Sequence, residues 1–408
     1  MYIIHLETGK VIGMGKRLDS QRLRVDPRIA DGYYSDVYFN RTKEILEKDG
    51  AHPVVRMQYF QKHDGVCLAG IDEALGIMKE ALDDRFDELE VYALHDGDVV
   101  DGLETVMLVE GDYSLFPHLE TPMLGAMARR SNVATNVYKT VKEASRYTDK
   151  PVLFFPARFD IYQAQAGDGY AYDVALRALG KNGSGGGNGV STPAQGEWWG
   201  SKGIGTIPHA LEAAYGGDVV EAALKFADHI DPSVKRVVLV DYHNDCVGTT
   251  LDVADAMLSR YKDSGCDERY KLFGVRLDTS GTMVDRSLWE QMGTFKPTGV
   301  NEQLVTNVYA ALKERAARYG RGSIEHSFYD DVGLVVSGGF GPGKIHEFEE
   351  KGLPVMAYGV GSSLFKGNID FTADIVSMYT GEGWVHNAKT GRQYNPNDRL
   401  ERVMEVEL

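Results

Sequence analysis

The chain has 408 residues, with 60 acidic and 44 basic side chains and a formal charge of −16. That acidic excess argues against nucleic acid and anionic membrane surfaces, which are bound chiefly through Lys and Arg. At 43% hydrophobic and 25% charged, the composition is that of an ordinary globular protein with length for two or three domains.

The first seven residues, Met-Tyr-Ile-Ile-His-Leu-Glu, lack a basic stretch leading into an apolar one, so no signal peptide is expected. Residues 54–60 and 104–110 read as strands, and the spacing near 71–83 predicts a helix between them, an α+β unit over much of the first 125 residues. After about residue 125 the rhythm changes. Short apolar runs at 151–156, 236–241, 272–278, 332–337 and 353–358 alternate with helical spacing at 217–229, 248–262 and 301–319. Such alternation predicts βα units around a parallel sheet buried on both faces. No apolar run approaches the roughly 18 residues of a membrane span. The glycine-rich stretch 180–189 reads equally as a mobile lid or a flexible surface loop. Cys67, Cys246 and Cys266 form no C-x-x-C pair, which predicts reduced thiols, a cytoplasmic location and neither a disulfide framework nor a zinc knuckle.

Each apolar run of the second part ends in residues with chemistry: Arg158, Asp241, Asp278, Ser337-Gly338-Gly339 and Gly359-Val360-Gly361. Any one of these could be a simple turn former. Five together favour the C-terminal face of a barrel, where active sites are built. The segment from Gly338 to Lys344 fits G-x-x-x-x-G-K, but Ile345 replaces the hydroxyl that would bind Mg²⁺, so a nucleotide P-loop is rejected. What remains is a pair of glycine turns on consecutive strands suited to a phosphate. The run Val237 to Thr250 resembles in part the phosphoribosyl-diphosphate (PRPP) fingerprint of purine-type phosphoribosyltransferases. Tyr242 stands in place of its second acid, and Asp241 is placed for Mg²⁺ or a ribose hydroxyl. His209 follows Gly203-Ile204-Gly205-Thr206-Ile207-Pro208, with Thr206 as the expected N-cap. Near a helix N-terminus an imidazole is kept neutral and nucleophilic, although a plain helix-start histidine fits the same pattern.

The ordered series resembles nicotinate phosphoribosyltransferase over most of the chain. It runs through Ala30-Asp31-Gly32-Tyr33, Leu119-Glu120-Thr121-Pro122-Met123-Leu124-Gly125, Pro156-Ala157-Arg158-Phe159 and Gly189-Val190-Ser191-Thr192-Pro193. It continues through the His209 segment, Gly274-Val275-Arg276-Leu277-Asp278, Ser337-Gly338-Gly339-Phe340 and Tyr358-Gly359-Val360-Gly361.

The resemblance implies an α/β fold: an irregular (β/α) barrel of parallel strands over 126–370, with an additional N-terminal α/β sandwich over 1–125. The C-terminal segment 371–408 is available to complete the sandwich. It implies nicotinate, PRPP and ATP as ligands, Mg²⁺ as cofactor, and a homodimer or higher homo-oligomer with shared active sites. Tyr33 would stack on the pyridine from the neighbouring subunit, and His209 would be phosphorylated by ATP. Arg158 and Arg276 would hold between them the nicotinate carboxylate and the diphosphate or ribose end. Asp278, with Asp241, would bind ribose hydroxyls or Mg²⁺. Ser337, Gly338, Gly339, Gly359 and Gly361 would hold the 5′-phosphate, and Ser191, Thr192 and Lys202 would complete the substrate site. A C-terminal zinc knuckle, found in some members, is excluded because no cysteine follows Cys266. Quinolinate or nicotinamide in place of nicotinate, and a non-catalytic metabolite-binding barrel, are the alternatives.

Overall fold

The computed structural model describes residues 2–4, 11–13, 17–182, 188–291, 293 and 295–404; of the glycine-rich stretch 180–189, residues 183–187 lie outside them. After an antiparallel pair of short strands, Tyr2–Ile4 and Val11–Gly13, comes an exposed helix, α1 (Val37–Asp49), that buries none of its side chains and stops at Gly50, whose φ of 64° is left-handed. Then come β1 (Val54–Gln61), α2 (Ile71–Leu82), β2 (Glu90–Ala93) and β3 (Thr105–Asp112), with β3 antiparallel to both β1 and β2. Alternate residues of these strands, among them Met57, Tyr59, Val91 and Val109, pack against Ile71, Leu75 and Met78 of α2.

The next helix, α3 (Glu120–Ala144), belongs to two cores. Met123 and Met127 sit in the N-terminal core, whereas Val133, Val137 and Val141 sit in the larger one around the second sheet. The domain division expected at residue 125 therefore falls inside a helix. Between the two apolar stretches, Arg130 bonds Glu73 of α2 at 2.7 Å and Asp168 at 2.9 Å.

The second half supplies β4 (Val152–Phe154), α4 (Gln165–Ala178), β5 (Gly189–Val190), α5 (His209–Ala214), α6 (Val219–His229) and β6 (Arg236–Leu239). It continues with α7 (Cys246–Asp263), β7 (Leu272–Leu277), α8 (Glu302–Ala316), α9 (Ile324–Asp330), β8 (Gly333–Val336), α10 (Pro342–Glu350) and β9 (Ala357–Val360). The strands pair in parallel in the order β6-β7-β8-β9-β4-β5, an incomplete barrel open between β5 and β6. Val238, Val275, Leu277, Leu334 and Val336 face outward into the helices. Each such buried aliphatic side chain contributes roughly 1.5–3 kcal/mol relative to exposure. The inner face holds a small layer of Leu153, Val237, Val335 and Ala357. Two residues further along their strands, and so on the same face, come Phe155, Leu239, Ser337 and Gly359.

The C-terminal segment returns to the first sheet. β10 (Phe371–Tyr379) pairs antiparallel with β1, β11 (Trp384–His386) extends that edge, and β12 (Glu401–Arg402) pairs with β2. The antiparallel sheet thus reads β11-β10-β1-β3-β2-β12, built from both ends of the chain. No helix among the described residues is long and apolar enough to cross a membrane.

Candidate active site

A cavity of about 660 Å³ opens at the C-terminal ends of the barrel strands. Its walls include Arg158, Ser191, His209, Arg276, Asp278, Ser337, Gly338, Gly339, Gly359 and Gly361. Positions from Arg158 to Gly361 are gathered here, most of them because parallel strands end on one face.

Arg276 reaches the cavity through a local irregularity. The register of β6 on β7 moves from Arg236 opposite Leu272 to Val237 opposite Gly274, which leaves Phe273 as an extra residue and re-aims the rest of the strand. Arg276 then makes three bonds: Nε to Ser337 Oγ at 2.8 Å, Nη2 to Asp278 Oδ2 at 3.0 Å and Nη1 to Thr206 Oγ1 at 3.3 Å. Ser337 Oγ donates in turn to Asp278 Oδ1 at 2.7 Å. This triangle fixes a guanidinium and a carboxylate at the cavity floor with little rotamer freedom left to lose on ligand binding. Arg158 is different: it is exposed, beside the Phe159 ring.

His209 is the first residue of α5, and the position before it is Pro208 with extended backbone and no side-chain cap. Thr206 is not the N-cap; its hydroxyl faces Arg276 instead. His209 Nε2 lies 3.0 Å from Asp241 Oδ1, with Asp241 buried, so the ring's other nitrogen is the one left for chemistry. Burial raises the Asp241 carboxyl above its usual range, and the facing His209 opposes that shift. One turn along α5, Glu212 is fully buried with no hydrogen-bond partner for either carboxylate oxygen among the described residues. Burial, with His209 opposing and Asp241 adding to it, pushes Glu212 up to about 7. Nothing in the sequence singled out Glu212; its only signal is its place three residues after His209.

The glycine turns differ in how they serve the cavity. The Ser337 N–H is already bonded to Leu277 O, so the amides open to a ligand are those of Gly338 and Gly339. Both have left-handed backbone, with φ of 82° and 75°. Gly359 provides space: a Cβ there would stand 3.0 Å from the Phe155 ring and 3.1 Å from Ser337 Cβ.

Four sequence-selected residues lie outside the cavity wall, one of them Asp241, which meets it through His209. Thr192 caps a short helical turn through Gln195 and bonds Gln165. Lys202 is exposed. Tyr33 is 65% exposed on the N-terminal unit, under the Arg28 guanidinium. Conversely, Phe155, Thr206, Ser362, Ser363 and Lys366 line the cavity without having been selected. Asp241 is engaged by the His209 ring and Asp278 by Arg276 and Ser337, and the described residues contain no group of three or more metal-ligating side chains.

Comparison with known proteins agrees with this architecture. Residues 36–131, from the start of α1 into α3, match the quinolinate phosphoribosyl transferase N-terminal domain. Nicotinate phosphoribosyltransferase 2 of Arabidopsis thaliana is 33% identical over 164 residues, which are 40% of this chain and only 27% of the plant protein. The nicotinate-nucleotide pyrophosphorylase of Pyrococcus furiosus superposes with a TM-score of 0.69 at 28% identity, over 94% of this chain and 85% of that one. Human nicotinic acid phosphoribosyltransferase shares the fold, with a TM-score of 0.59 at 15% identity over 84% of this chain and 74% of the human one. The chain thus shares the fold of the Pyrococcus furiosus nicotinate-nucleotide pyrophosphorylase over nearly its whole length, and over residues 36–131 it carries the N-terminal domain of quinolinate phosphoribosyl transferases.

Proposed function

We propose that the protein joins nicotinate to PRPP, giving nicotinate mononucleotide and diphosphate, with ATP hydrolysis coupled through a phosphorylated His209. The observation that carries this reading is His209, held by Asp241 at 3.0 Å, on the wall of the cavity that also holds Arg276, Asp278 and both glycine turns.

The pyridine nitrogen attacks C1 of the ribose with its own lone pair, and the C1–oxygen bond to diphosphate breaks. No general base is needed. Catalysis rests on positioning and on stabilising the departing charge. Arg276, locked by Ser337 and Asp278, and the exposed Arg158 are the cations for the nicotinate carboxylate and the diphosphate. Gly338 and Gly339 offer amides to the 5′-phosphate. Mg²⁺ is commonly held by one or two carboxylates plus substrate phosphates, and Asp241 and Asp278 fit that donor set. Bound there, it would neutralise charge on the leaving diphosphate. For the ATP step, Nδ1 of His209 bonds the γ-phosphorus as the β,γ-bridging P–O bond breaks and ADP leaves. The Nε2 proton stays hydrogen-bonded to Asp241, whose charge offsets the positive charge that develops on the ring.

The exposed Tyr33, Tyr34, Val37, Tyr38 and Ile45 on and before α1 support a homodimer in which this patch of one copy covers the cavity of the other. A quinolinate enzyme is the second reading, favoured by the domain matched at residues 36–131. One assay separates them: incubate the protein with PRPP, Mg²⁺ and each of nicotinate, quinolinate and nicotinamide, with and without ATP, and quantify mononucleotide. No product from nicotinate under any condition overturns the reading. His209→Ala is expected to abolish acid-labile labelling from γ-labelled ATP, and persistent labelling would place the phosphorylation elsewhere.

A further inference from the structure

Behind the Gly338–Gly339 turn lies a second cavity, of about 670 Å³, between the loop at 295–301, the start of α8 and one face of α10. Gly338 and Gly339 line both cavities. The lysine of the G-x-x-x-x-G-K run, Lys344, lines only this second one, so the part of that motif which the first cavity leaves unused points here.

The charges in this cavity are unevenly matched. Lys351 and Glu302 pair at 2.5 Å and neutralise each other. Lys344 has no ion-pair partner among the described residues; its Nζ lies 4.1 Å from the centre of the Phe340 ring and 5.8 Å from that of Phe348. Aromatic faces hold a cation in place without neutralising it. Burial, and after it the charge of Lys296 on the opposite wall, pull Lys344 down to about 8, with Glu347 on the same helix opposing. A bound anion would supply the missing counter-charge. Backbone donors lie beside it: Asn301 caps the Leu304 N–H, and the Glu302 and Gln303 amides precede the first intrahelical bond of the fifteen-residue α8. The volume is that of a small-molecule site.

We propose that this second cavity binds a phosphate-bearing small molecule, with Lys344 as its principal cation and the Gly338–Gly339 turn as a wall shared with the first cavity. The assignment does not depend on the reaction given to the first cavity. A free polyphosphate and a nucleoside polyphosphate present the same group, so both serve as probes.

The test is calorimetric titration of the full chain with inorganic diphosphate and, separately, with ATP. Lys344→Met keeps the apolar stem against Phe340 and Phe348 but removes the charge. It is expected to weaken one saturable binding event at least about tenfold, the loss expected for one charged hydrogen bond. Arg276→Ala should leave that event intact, whatever it does to binding in the first cavity. Should Lys344→Met not fold, the exposed Lys296→Ala carries the same comparison with a smaller loss. Retention by ATP alone would assign the site to nucleotides, and by diphosphate alone to the inorganic ion. No saturable binding of either probe, binding indifferent to Lys344→Met and Lys296→Ala, or loss of every event in Arg276→Ala would each overturn the proposal.

Discussion

Glu212→Gln should change the pH dependence of stability more than stability itself at low pH. Glu212 is fully buried and neither carboxylate oxygen has a partner, so its ionised form is strongly disfavoured in the folded chain. Its folded value of about 7 stands above an ordinary 4.5. A raised acid binds its proton more tightly folded than unfolded. Between the two values the folded state therefore carries more protons, and stability falls as pH rises. The displacement corresponds to roughly 3 kcal/mol, fully expressed above pH 7 and absent below about pH 4.5. Glutamine has nearly the same shape and cannot ionise; whatever it costs in unsatisfied amide groups is the same at every pH. Urea unfolding of wild type and variant at pH 5 and pH 8 measures the difference directly. The variant should gain about 2–3 kcal/mol on wild type between the two conditions. Parallel stability curves, with a constant gap at both pH values, would show that Glu212 is not held in its acid form and would refute the reasoning.

Two further substitutions probe the scaffold and the cavity floor. Asp168 is buried, accepts from Arg129 at 3.0 and 2.8 Å and from Arg130 at 2.9 Å, and joins α4 to α3. Asp168→Ala leaves the buried Arg130 with Glu73 as its one carboxylate among the described residues and should cost about 3–5 kcal/mol in urea unfolding; a loss under about 1 kcal/mol would mean that water replaces the carboxylate readily. Ser337→Ala removes the hydroxyl between Arg276 and Asp278 while leaving their own 3.0 Å contact. Mononucleotide formation should fall about tenfold in kcat/KM with little change in unfolding, and an unaltered kcat/KM would show that the Arg276–Asp278 contact alone fixes the floor.

The parallel strands were legible because burial on both faces makes them continuous apolar runs. Even so, the run at 353–358 becomes strand only from Ala357, since Pro354 has no N–H to give a ladder. The helices α3 and α4 were harder to see. Apolar residues of α3 serve two different cores, with Arg129 and Arg130 between them, so no single stripe runs its length. In α4, Gly167 and Gly169 lower helix propensity but let the chain pack closely: a Cβ on Gly169 would meet the Gln195 carbonyl oxygen at 1.9 Å. At the site, Arg276 and Asp278 stand two apart on one strand, a spacing that places them on one face from sequence alone. Thr206 was misplaced as an N-cap because its real partner, Arg276, is 70 residues away. Glu212 was invisible for the same kind of reason: burial, not residue type, makes it unusual.

The opening between β5 and β6 explains why the histidine lies at the start of a helix rather than at a strand end. The extended segment 203–208 crosses beside this opening, held at one end by the Gly203–Val190 bridge and near the other by the Thr206–Arg276 bond. Ile207 is buried behind it, and His209 then meets Asp241 just beyond the end of β6, the strand on the far side of the opening. A closed barrel would fill that place with another strand and a fixed ladder. Leaving it open lets His209 approach the cavity from the side while its ring is oriented by a residue of the sheet. The same geometry explains the charge. An acidic chain can still receive anions because Arg158, Arg276 and Lys366 line one cavity and Lys344 the next, while Asp278, the carboxylate on the first cavity's wall, is already tied to Arg276. The net charge is a sum over the whole chain, and electrostatic attraction at the mouth is set by these few cations close to the ligand, within about one Debye length of it.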